Sequence, residues 1–418
     1  MSNTQTKNVP ELRFPGFEGE WEEKKVGELL EFKNGLNKGK EYFGSGSSIV
    51  NFKDVFNNRS LNTNNLTGKV NVNSKELKNY SVEKGDVFFT RTSEVIGEIG
   101  YPSVILNDPE NTVFSGFVLR GRPKSGIDLI NNNFKRYVFF TNSFRKEMIT
   151  KSSMTTRALT SGSAINKMKV IYPVSAKEQR KIGDFFSKLD RQIELEEQKL
   201  ELLQQQKKGY MQKIFSQELR FKDENGNDYP NWEEKKIEDI ASQVYGGGTP
   251  NTKIKEFWNG DIPWIQSSDV KVNDLILRQC NKFISKNSIE LSSAKLIPAN
   301  SIAIVTRVGV GKLCLVEFDY ATSQDFLSLS SLKYDKLYSL YSLLYTMKKI
   351  SANLQGTSIK GITKKELLDS IIKIPHNLEE QQKIGDLFYK IDKYISFNKC
   401  KIEILKSLKQ GLLQKIFI

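Results

Sequence analysis

The sequence of 418 residues contains one histidine, His376, and three widely separated cysteines, Cys280, Cys314 and Cys400. A single histidine excludes metal sites built from several histidines. The odd number and wide spacing of the cysteines argue against a disulfide framework and against a zinc site built on cysteine. This cysteine usage is typical of a reducing compartment, so we expect a cytoplasmic protein. His376 directly follows Pro375, and we interpret it as part of a connecting segment.

Long apolar runs are also missing. No stretch reaches the roughly 18 apolar residues that a membrane-spanning helix needs, and residues 1–14 lack the apolar segment of a secretory signal. Basic residues outnumber acidic ones, 63 against 49, which gives a net charge of +14 and a pI near 9.3. Such a balance favours a polyanionic partner, either nucleic acid or an anionic membrane surface, over a role in solubility alone.

Motifs of nucleotide-dependent and methyl-transferring enzymes are missing as well. The segment Gly309–Leu313 resembles a phosphate-binding loop but lacks the first glycine and the Ser or Thr after the lysine. None of the 11 prolines follows an asparagine, so the Asn-Pro-Pro-aromatic motif expected of an adenine or cytosine methyltransferase is absent. We therefore expect a non-catalytic chain. The alternative is a single-chain DNA-modifying or DNA-cleaving enzyme with an unrecognised active site.

One segment of the sequence occurs twice. Residues 178–190, EQRKIGDFFSKLD, and 380–392, EQQKIGDLFYKID, are identical at nine of thirteen positions, and the match continues at the same offset of 202 to the phenylalanines at 215 and 417. A second, shorter repeat, at an offset of 211, relates Trp21–Lys25 to Trp232–Lys236. Repeats of this length define the architecture. Two units therefore share a frame, which consists of the long repeated segments and the Trp-Glu-Glu-Lys-Lys segments. The sequences between these shared parts differ.

Apolar residues in the two repeated segments follow alternating steps of four and three, which is the a/d pattern of a coiled coil. Both copies are polar at the same two places, Glu196 and Lys207 in the first and Asn398 and Lys409 in the second. These matched interruptions predict that the two helices, each about 57 Å long, face each other; two independent amphipathic helices are the alternative. The predicted seam consists of Ile182, Phe186, Leu189, Ile193, Leu200, Leu203, Tyr210 and Ile214 in the first helix, and of Ile384, Phe388, Ile391, Ile395, Ile402, Leu405, Leu412 and Ile416 in the second.

The segments between the repeated parts have the pattern of α+β domains. Each contains short β-like runs, such as Gly116–Leu119 in the first domain, then a helical stretch, then a strand that ends in proline. The predicted helical stretches are 134–150 and 334–349. The predicted fold class is α+β, with two globular domains, two long helices and a pseudo-twofold internal repeat. The predicted boundaries are an N-terminal segment 1–20, a first domain 21–175, a central helix 176–217, a connector 218–231, a second domain 232–377 and a C-terminal helix 378–418.

Polar and glycine-rich loops at corresponding places in the two domains are the candidate nucleic-acid contacts. Asn51–Val55 parallels Ile265–Val270, and Thr90-Arg91 parallels Thr306-Arg307. Glycine permits close approach of the backbone to a ligand, and Arg, Lys, Asn and Gln donate to base edges and phosphates; ordinary turn chemistry explains any single residue equally well. The candidates in the first domain are Asn34, Gly35, Asn37, Lys38, Arg91, Thr92, Ser93, Thr155, Thr156 and Arg157. The candidates in the second domain are Gly246, Gly247, Gly248, Thr249, Ser267, Ser268, Arg307, Lys312, Gln355, Gly356, Thr357 and Lys360.

Two different domains that alternate with two helices beginning E-Q-x-K-I-G carry a resemblance to a known family. The second domain adds the patterns G-G-T-P at Gly247–Pro250 and G-D-I-P-W-I at Gly260–Ile265, and Gln355–Thr357 precedes its closing strand. Together these features resemble the specificity subunit of type I restriction-modification systems. The first domain departs from this pattern, since it has Asn34–Asn37 for the glycine loop and Thr155–Arg157 where Gln-Gly-Thr would lie.

The resemblance implies a division of labour. Each domain would be a target recognition domain that reads one half of a bipartite, asymmetric site in double-stranded DNA. The helices would form an antiparallel coiled coil that sets the spacer and docks two methyltransferase subunits, and two restriction or motor subunits would complete the complex. S-adenosylmethionine, ATP and Mg²⁺ would be bound by these partners and none by this chain. A scaffold at a membrane surface is a further alternative.

Overall fold

The computed structural model describes residues 8–124, 128–271, 274–307, 309–354 and 361–418. The chain divides into two compact units, Met1–Glu196 with Lys401–Ile418, and Glu197–Cys400. Each unit therefore contains one α+β domain together with part of each long helix. None of the helices that these residues form is both long enough and apolar enough to cross a lipid bilayer.

The domain of the first unit is built from short strands and short helices. Its strands are β1 (Glu22–Lys25), β2 (Leu30–Asn34), β3 (Phe43–Val50), β4 (Ser60–Leu61), β5 (Lys69–Val70), β6 (Val87–Thr90), β7 (Thr92–Ser93), β8 (Pro102–Ile105), β9 (Thr112–Phe114), β10 (Val118–Pro123), β11 (Ser153–Met154), β12 (Ala158–Leu159) and β13 (Lys169–Tyr172). Its helices are α1 (Val26–Leu29), α2 (Phe52–Asn57), α3 (Ser74–Asn79), α4 (Asn132–Val138), α5 (Asn142–Lys151) and α6 (Gly162–Asn166). The long helix α7 (Ala176–Phe215) follows.

The main sheet of the first unit has the strand order β2-β10-β6-β8-β4. All four residues of the apolar strand β6 are buried, as expected for a strand covered on both faces. Smaller sheets, β5-β3-β9 and β11-β12-β7, flank it. Strand β1 pairs antiparallel with β13, with Glu22 opposite Tyr172, so the Glu-Glu-Lys-Lys run closes the domain by joining its beginning to its end.

The prediction of one helix over 134–150 is wrong, because α4 ends at Val138 and α5 begins at Asn142. The side chain of Thr141 accepts a hydrogen bond from the backbone N–H of Phe144 at 3.3 Å and caps α5. A threonine in the middle of an amphipathic pattern therefore starts a new helix here.

In the first unit the two long helices run antiparallel. The ring of Phe186 on α7 lies 6.0 Å from that of Phe417, and further along α7 Glu196 forms an ion pair with Lys401 at 2.5 Å. Positions rise along one helix as they fall along the other, which defines the direction. The buried seam residues of this unit are Ile182, Phe186, Leu189, Ile193, Ile402 and Ile416, with Leu405 and Leu412 half-buried.

The second unit repeats this architecture. Its strands are β14 (Glu233–Lys236), β15 (Ala241–Gly246), β16 (Ile262–Ile265), β17 (Ile276–Leu277), β18 (Phe283–Ile284), β19 (Ser301–Val305), β20 (Leu313–Val316), β21 (Ala321–Thr322), β22 (Phe326–Leu332) and β23 (Ile371–Ile374). Its helices are α8 (Lys286–Leu291), α9 (Lys336–Leu354), α10 (Lys364–Leu368) and α11 (Leu378–Ile416). The main sheet, β15-β22-β19-β20-β17, matches that of the first unit strand for strand, and β14 pairs with β23 as β1 pairs with β13.

The helix pair of the second unit is also antiparallel. The ring of Phe215 lies 5.9 Å from that of Phe388, and Lys207, earlier on α7, forms an ion pair at 2.5 Å with Asp392, later on α11. The prediction for Tyr210 is wrong, since this side chain is 40% exposed, while Met211 is 4% exposed and packs in the core. A straight helix drifts against a strict seven-residue repeat, so the inward position moves by one residue near the helix end. The remaining seam residues are buried or half-buried, namely Leu200, Leu203, Ile214, Ile384, Phe388, Ile391 and Ile395.

Candidate nucleic-acid interface

The first repeated helix begins with a Glu-Gln pair that attaches it to its own domain. The buried carboxylate of Glu178 accepts hydrogen bonds from Arg13 Nε and Nη2, both at 2.8 Å, and from Trp21 Nε1 at 3.4 Å. The hydrogen bond to Glu178 raises the pKa of Arg13. Gln179 Nε2 donates to the carbonyl of Pro173 at 2.8 Å. The repeated polar residues therefore hold the beginning of the domain, the end of the domain and the helix together.

The second unit contains the same cluster. Glu380 accepts from Arg220 Nε at 3.1 Å, Arg220 Nη2 at 2.9 Å and Trp232 Nε1 at 3.1 Å. Gln381 Nε2 donates to the carbonyl of Pro375 at 2.8 Å. The Trp-Glu-Glu-Lys-Lys repeat and the Glu-Gln repeat thus meet in one site in each unit, although they lie far apart in the sequence.

The repeated glycine of each helix permits a close helix-to-helix contact. A Cβ atom at Gly183 would lie 2.7 Å from the backbone nitrogen of Phe134 on α4. A Cβ atom at Gly385 would lie 2.8 Å from the backbone nitrogen of Tyr338 on α9. Any larger residue would push the domain helix away from the long helix.

The polar interruptions at Lys207 and Lys409 form ion pairs between the long helices. In the first unit Lys409 binds Asp190, which also accepts a hydrogen bond from Tyr137 Oη at 2.7 Å. Burial raises the pKa of Tyr137, which keeps this phenol a donor. The second unit repeats the arrangement, at 2.5 Å for the lysine and 2.8 Å for the tyrosine, with Lys207, Asp392 and Tyr341. Each domain is therefore tied to both long helices through one aspartate.

Several predicted contact residues of the first unit lie together at the end of β6. Arg91 follows β6, and its Nη1 donates to the carbonyl of Gly116 at 3.4 Å. Strand β12 pairs with β7 through Leu159 and Thr92, so the exposed hairpin tip Thr155–Arg157 extends from a strand anchored beside Arg91. Two separate stretches of sequence thus meet on one surface.

The remaining candidates of this domain divide into exposed and internal residues. Asn34, at the end of β2, and Asn37 are exposed. Lys38 is mostly buried and binds both Glu76 and the carbonyl of Asn71 at 2.8 Å. Ser93 is buried and accepts a hydrogen bond from a neighbouring backbone N–H. Lys38 and Ser93 are therefore engaged inside the domain, whereas the two asparagines are accessible.

The loop glycines have a structural explanation within the chain. A Cβ atom at Gly35 would lie 2.1 Å from the carbonyl oxygen of Ser115, and one at Gly247 would lie 1.9 Å from that of Ser323. A Cβ atom at Gly248 would meet the backbone in the same way. The predicted equivalence of the two loops is confirmed, but these glycines accommodate the chain's own backbone, so ligand approach is not needed to explain them.

The predicted equivalence of Arg91 and Arg307 is wrong by one residue. The backbone N–H of Arg91 donates to the carbonyl of Phe117, and in the second unit it is Thr306 that donates to the corresponding carbonyl of Asp325. Thr306 is therefore the counterpart of Arg91, and Arg307 takes the place of Thr92. The Thr-Arg dipeptide occurs in both domains, but hydrogen-bond register fixes position in a strand.

The candidates of the second unit lie on separate loops. Arg307 is exposed two residues beyond the end of β19, and the exposed Ser268 follows β16. The parallel with the first unit is confirmed here, because Asp269 and Asp54 accept equivalent backbone hydrogen bonds at 2.8 Å. Gly246, Thr249, Ser267 and Lys312 are half-buried. The predicted contacts Gln355, Gly356, Thr357 and Lys360 lie outside the described residues.

Sequence reasoning missed Phe52, Lys53 and Phe117. Phe52 and Lys53 occupy the positions of Ser267 and Ser268, and the shared aspartate of these loops was the signal that could have shown it. Phe117 was assigned to a predicted strand, yet it lies just before β10 and is 62% exposed. The first unit thus presents aromatic side chains where the second presents polar ones.

These features define a duplicated recognition chain, with one frame in both units and different residues on the loops. The model of the type I restriction modification DNA specificity domain matches residues 18–205 and again 229–407. The chain belongs to this family.

Similar proteins come from archaea and bacteria. The type I restriction enzyme MjaIX specificity subunit of Methanocaldococcus jannaschii is 32% identical over 213 residues, which are 49% of this chain and 48% of the relative. The putative MjaX specificity subunit of the same organism is 23% identical over 433 residues, covering 99% of this chain and 94% of the relative. The chain therefore aligns with about half of the MjaIX subunit and with nearly all of the MjaX subunit.

Solved structures share the fold. The crystal structure of a type I restriction-modification S subunit from M. genitalium has a TM-score of 0.62 at 14% identity and covers 98% of this chain and 99% of that one. A chain from a structural study of complex assembly and conformational transition in a type I restriction-modification system has a TM-score of 0.55 at 17% identity, with coverage of 97% and 98%. At these identities the likeness concerns the fold alone.

Proposed function

We propose that the chain is the DNA-specificity subunit of a type I restriction-modification complex, in which each domain reads one half of a bipartite, asymmetric site. The observation that carries this proposal is the pairing of one repeated frame with two different sets of loop residues. A frame that is repeated to the level of single hydrogen bonds, with unlike residues on equivalent loops, suits a protein that reads two different sequences. The net charge of +14 supplies general attraction to phosphates.

Within this proposal the base-reading residues lie on the exposed loops. In the first domain they include Asn34, Arg91 and the tip Thr155–Arg157. In the second they include Arg307 and Ser268. Arginine and asparagine side chains can each hold a base edge through two hydrogen bonds, which is the basis of direct readout in the major groove. Such contacts would specify sequence, and other basic side chains would position the backbone.

The long helices dock two methyltransferase subunits, one on each unit. The buried repeated residues are engaged within the chain, so docking uses side chains that remain exposed. The first unit exposes Leu195 on α7 and Ile404 on α11, and the second exposes the repeat-related residues Phe397 and Leu202. Exposed apolar side chains at repeated positions suit partner binding. Two equivalent surfaces fit two copies of one partner.

The chain contributes recognition, and its partners contribute chemistry. S-adenosylmethionine is bound by the methyltransferase subunits, and ATP and Mg²⁺ are used by the two restriction or motor subunits, all acting on DNA in the cytoplasm. The helices α7 and α11 set the gap between half-sites. Inserting residues into 204–208 should therefore change the gap that methylation mapping reports, and an unchanged gap would contradict a measuring role.

The proposal is tested by co-expressing the chain with its methyltransferase subunit and mapping methylated adenines. We expect one bipartite motif, with no methylation when the chain is omitted. The purified chain alone should bind DNA with an affinity that falls steeply with salt, and it should neither cleave nor methylate DNA. Cleavage or methylation by the chain alone would favour the single-chain enzyme instead.

A further inference from the structure

An exposed aromatic side chain lies beside the predicted contacts of the first domain. Phe117 lies between β9 and β10, and its carbonyl accepts a hydrogen bond from the backbone N–H of Arg91 at 3.0 Å. A Cβ atom at the preceding Gly116 would meet the side chain of Asn37, so this turn is closely packed. The backbone that carries the ring is thus held in place, while most of the ring faces solvent.

Phe117 and Phe52 both line a slot of about 360 Å³. The Phe52 ring is supported by an aromatic stack. Its centroid lies 5.5 Å from that of Phe56 at an interplanar angle of 15°, and Phe56 lies 5.0 Å from Tyr101 at 8°. The slot is therefore lined by aromatic rings, one of which is held by its aromatic neighbours, and this lining suits a partly apolar ligand.

The charged side chains that line the slot determine which kind of ligand it can bind. Glu94 and Glu98 line it together with Thr92 and Arg157. The guanidinium of Arg157 lies 3.7 Å from the carboxylate of Glu94, so one cation faces two carboxylates. Two carboxylates beside one cation disfavour phosphate, so a base edge suits the slot better than the DNA backbone does. Carboxylates accept hydrogen bonds from exocyclic amino groups, as Glu and Asp accept from cytosine N4.

We propose that the slot lined by Phe52 and Phe117 is a base-reading subsite of the first domain, which takes a base edge that carries an exocyclic amino group, that of cytosine or adenine. Phe117 contacts the apolar edge of the base, and Glu94 accepts from its amino group. This inference rests on the proposed function and adds the chemistry of one recognised position.

The second domain lacks the equivalent subsite among its described residues. The counterpart of Phe117 is Asp325, whose carbonyl accepts the equivalent backbone hydrogen bond, and the counterpart of Phe52 is Ser267. Neither is aromatic. The slot is thus a property of the first domain, and a change within it should affect one half-site only.

The test uses Phe117→Ala and Glu94→Gln in the full chain, co-expressed with the methyltransferase subunit. We expect Phe117→Ala to reduce discrimination at one base pair of the first half-site by about ten-fold or more, with the second half-site unchanged. The side chain of Glu94 is 84% exposed, so its replacement should leave the domain folded. Since glutamine donates as well as accepts, the preference for an amino over a keto group at that base pair should fall. Discrimination is measured by sequencing methylated sites and by competition binding with oligonucleotides that vary at each position.

The matched control is Leu129→Ala, which removes another exposed apolar side chain from the same unit but outside the slot. It should leave every base preference unchanged. Unaltered preferences in both slot variants, or an equal loss of affinity for all sequences, would overturn the subsite. The proposed function fails separately, if the unmodified chain directs no bipartite methylation.

Discussion

Glu380 is the residue whose replacement should reveal most about the frame. Its side chain is 0% exposed and accepts three hydrogen bonds, two from Arg220 and one from Trp232. Glu380→Gln keeps the shape but removes the charge and turns an N–H₂ group toward these donors. Removing one partner of a buried ion pair costs roughly 3–5 kcal/mol. Arg220 retains 17% exposure, so we expect a value near the lower end, about 3 kcal/mol.

The assay is urea unfolding of the full chain, followed by circular dichroism. The control is Glu379→Gln on the neighbouring residue, which forms a partly exposed ion pair with Lys383 one turn along the helix and should change stability much less. Glu178→Gln should reproduce the loss in the first unit, because its hydrogen bonds are the same. If Glu380→Gln and Glu379→Gln were indistinguishable, the cluster would not be what joins the domain to its helix.

Three further predictions concern the glycines, pH and partner binding. Gly183→Ala should lower the melting temperature, because its Cβ would collide with backbone, whereas Gly209→Ala, with open space around it, should raise stability by about 0.5–1 kcal/mol. Burial raises the pKa of Tyr341 above its usual value near 10, so the folded chain keeps a proton that the unfolded chain releases. Stability should be full below pH 10 and fall above it, and Tyr341→Phe should reduce that slope by about 1.4 kcal/mol per pH unit; an unchanged slope would contradict this. Leu195→Glu with Ile404→Glu should weaken binding of one of two methyltransferase subunits in native mass spectrometry, and an unaltered stoichiometry and affinity would refute the docking surface.

The frame could be predicted from sequence because its signals are local and repeated. The seam pattern predicted both long helices and their pairing, and the repeat at Trp21 and Trp232 indicated the start of each domain. Tyr210 was misplaced because periodicity specifies a face only to within the drift of a straight helix. The break before α5 was missed because one threonine cap overrides an apolar pattern that otherwise continues.

The candidate interface was harder to predict because it depends on contacts between distant segments. Gly35 and Gly247 occupy equivalent loops, as expected. Each position requires glycine because a backbone carbonyl from a distant part of the sequence lies against it, and the local sequence does not reveal that contact. The register of Arg91 and Arg307 depends on cross-strand hydrogen bonds that a shared dipeptide does not reveal. Phe117 looked like a strand residue by composition, and only the position of β10 shows that it faces outward.

The most direct test of the central claim, that each domain reads its own half-site, is a domain replacement. Residues 21–175 are exchanged for the corresponding domain of a relative, and methylated adenines are mapped in cells that also express the methyltransferase subunit. We predict a bipartite motif in which one half changes while the other half and the gap stay the same. A change in both halves, or an unchanged motif, would contradict it.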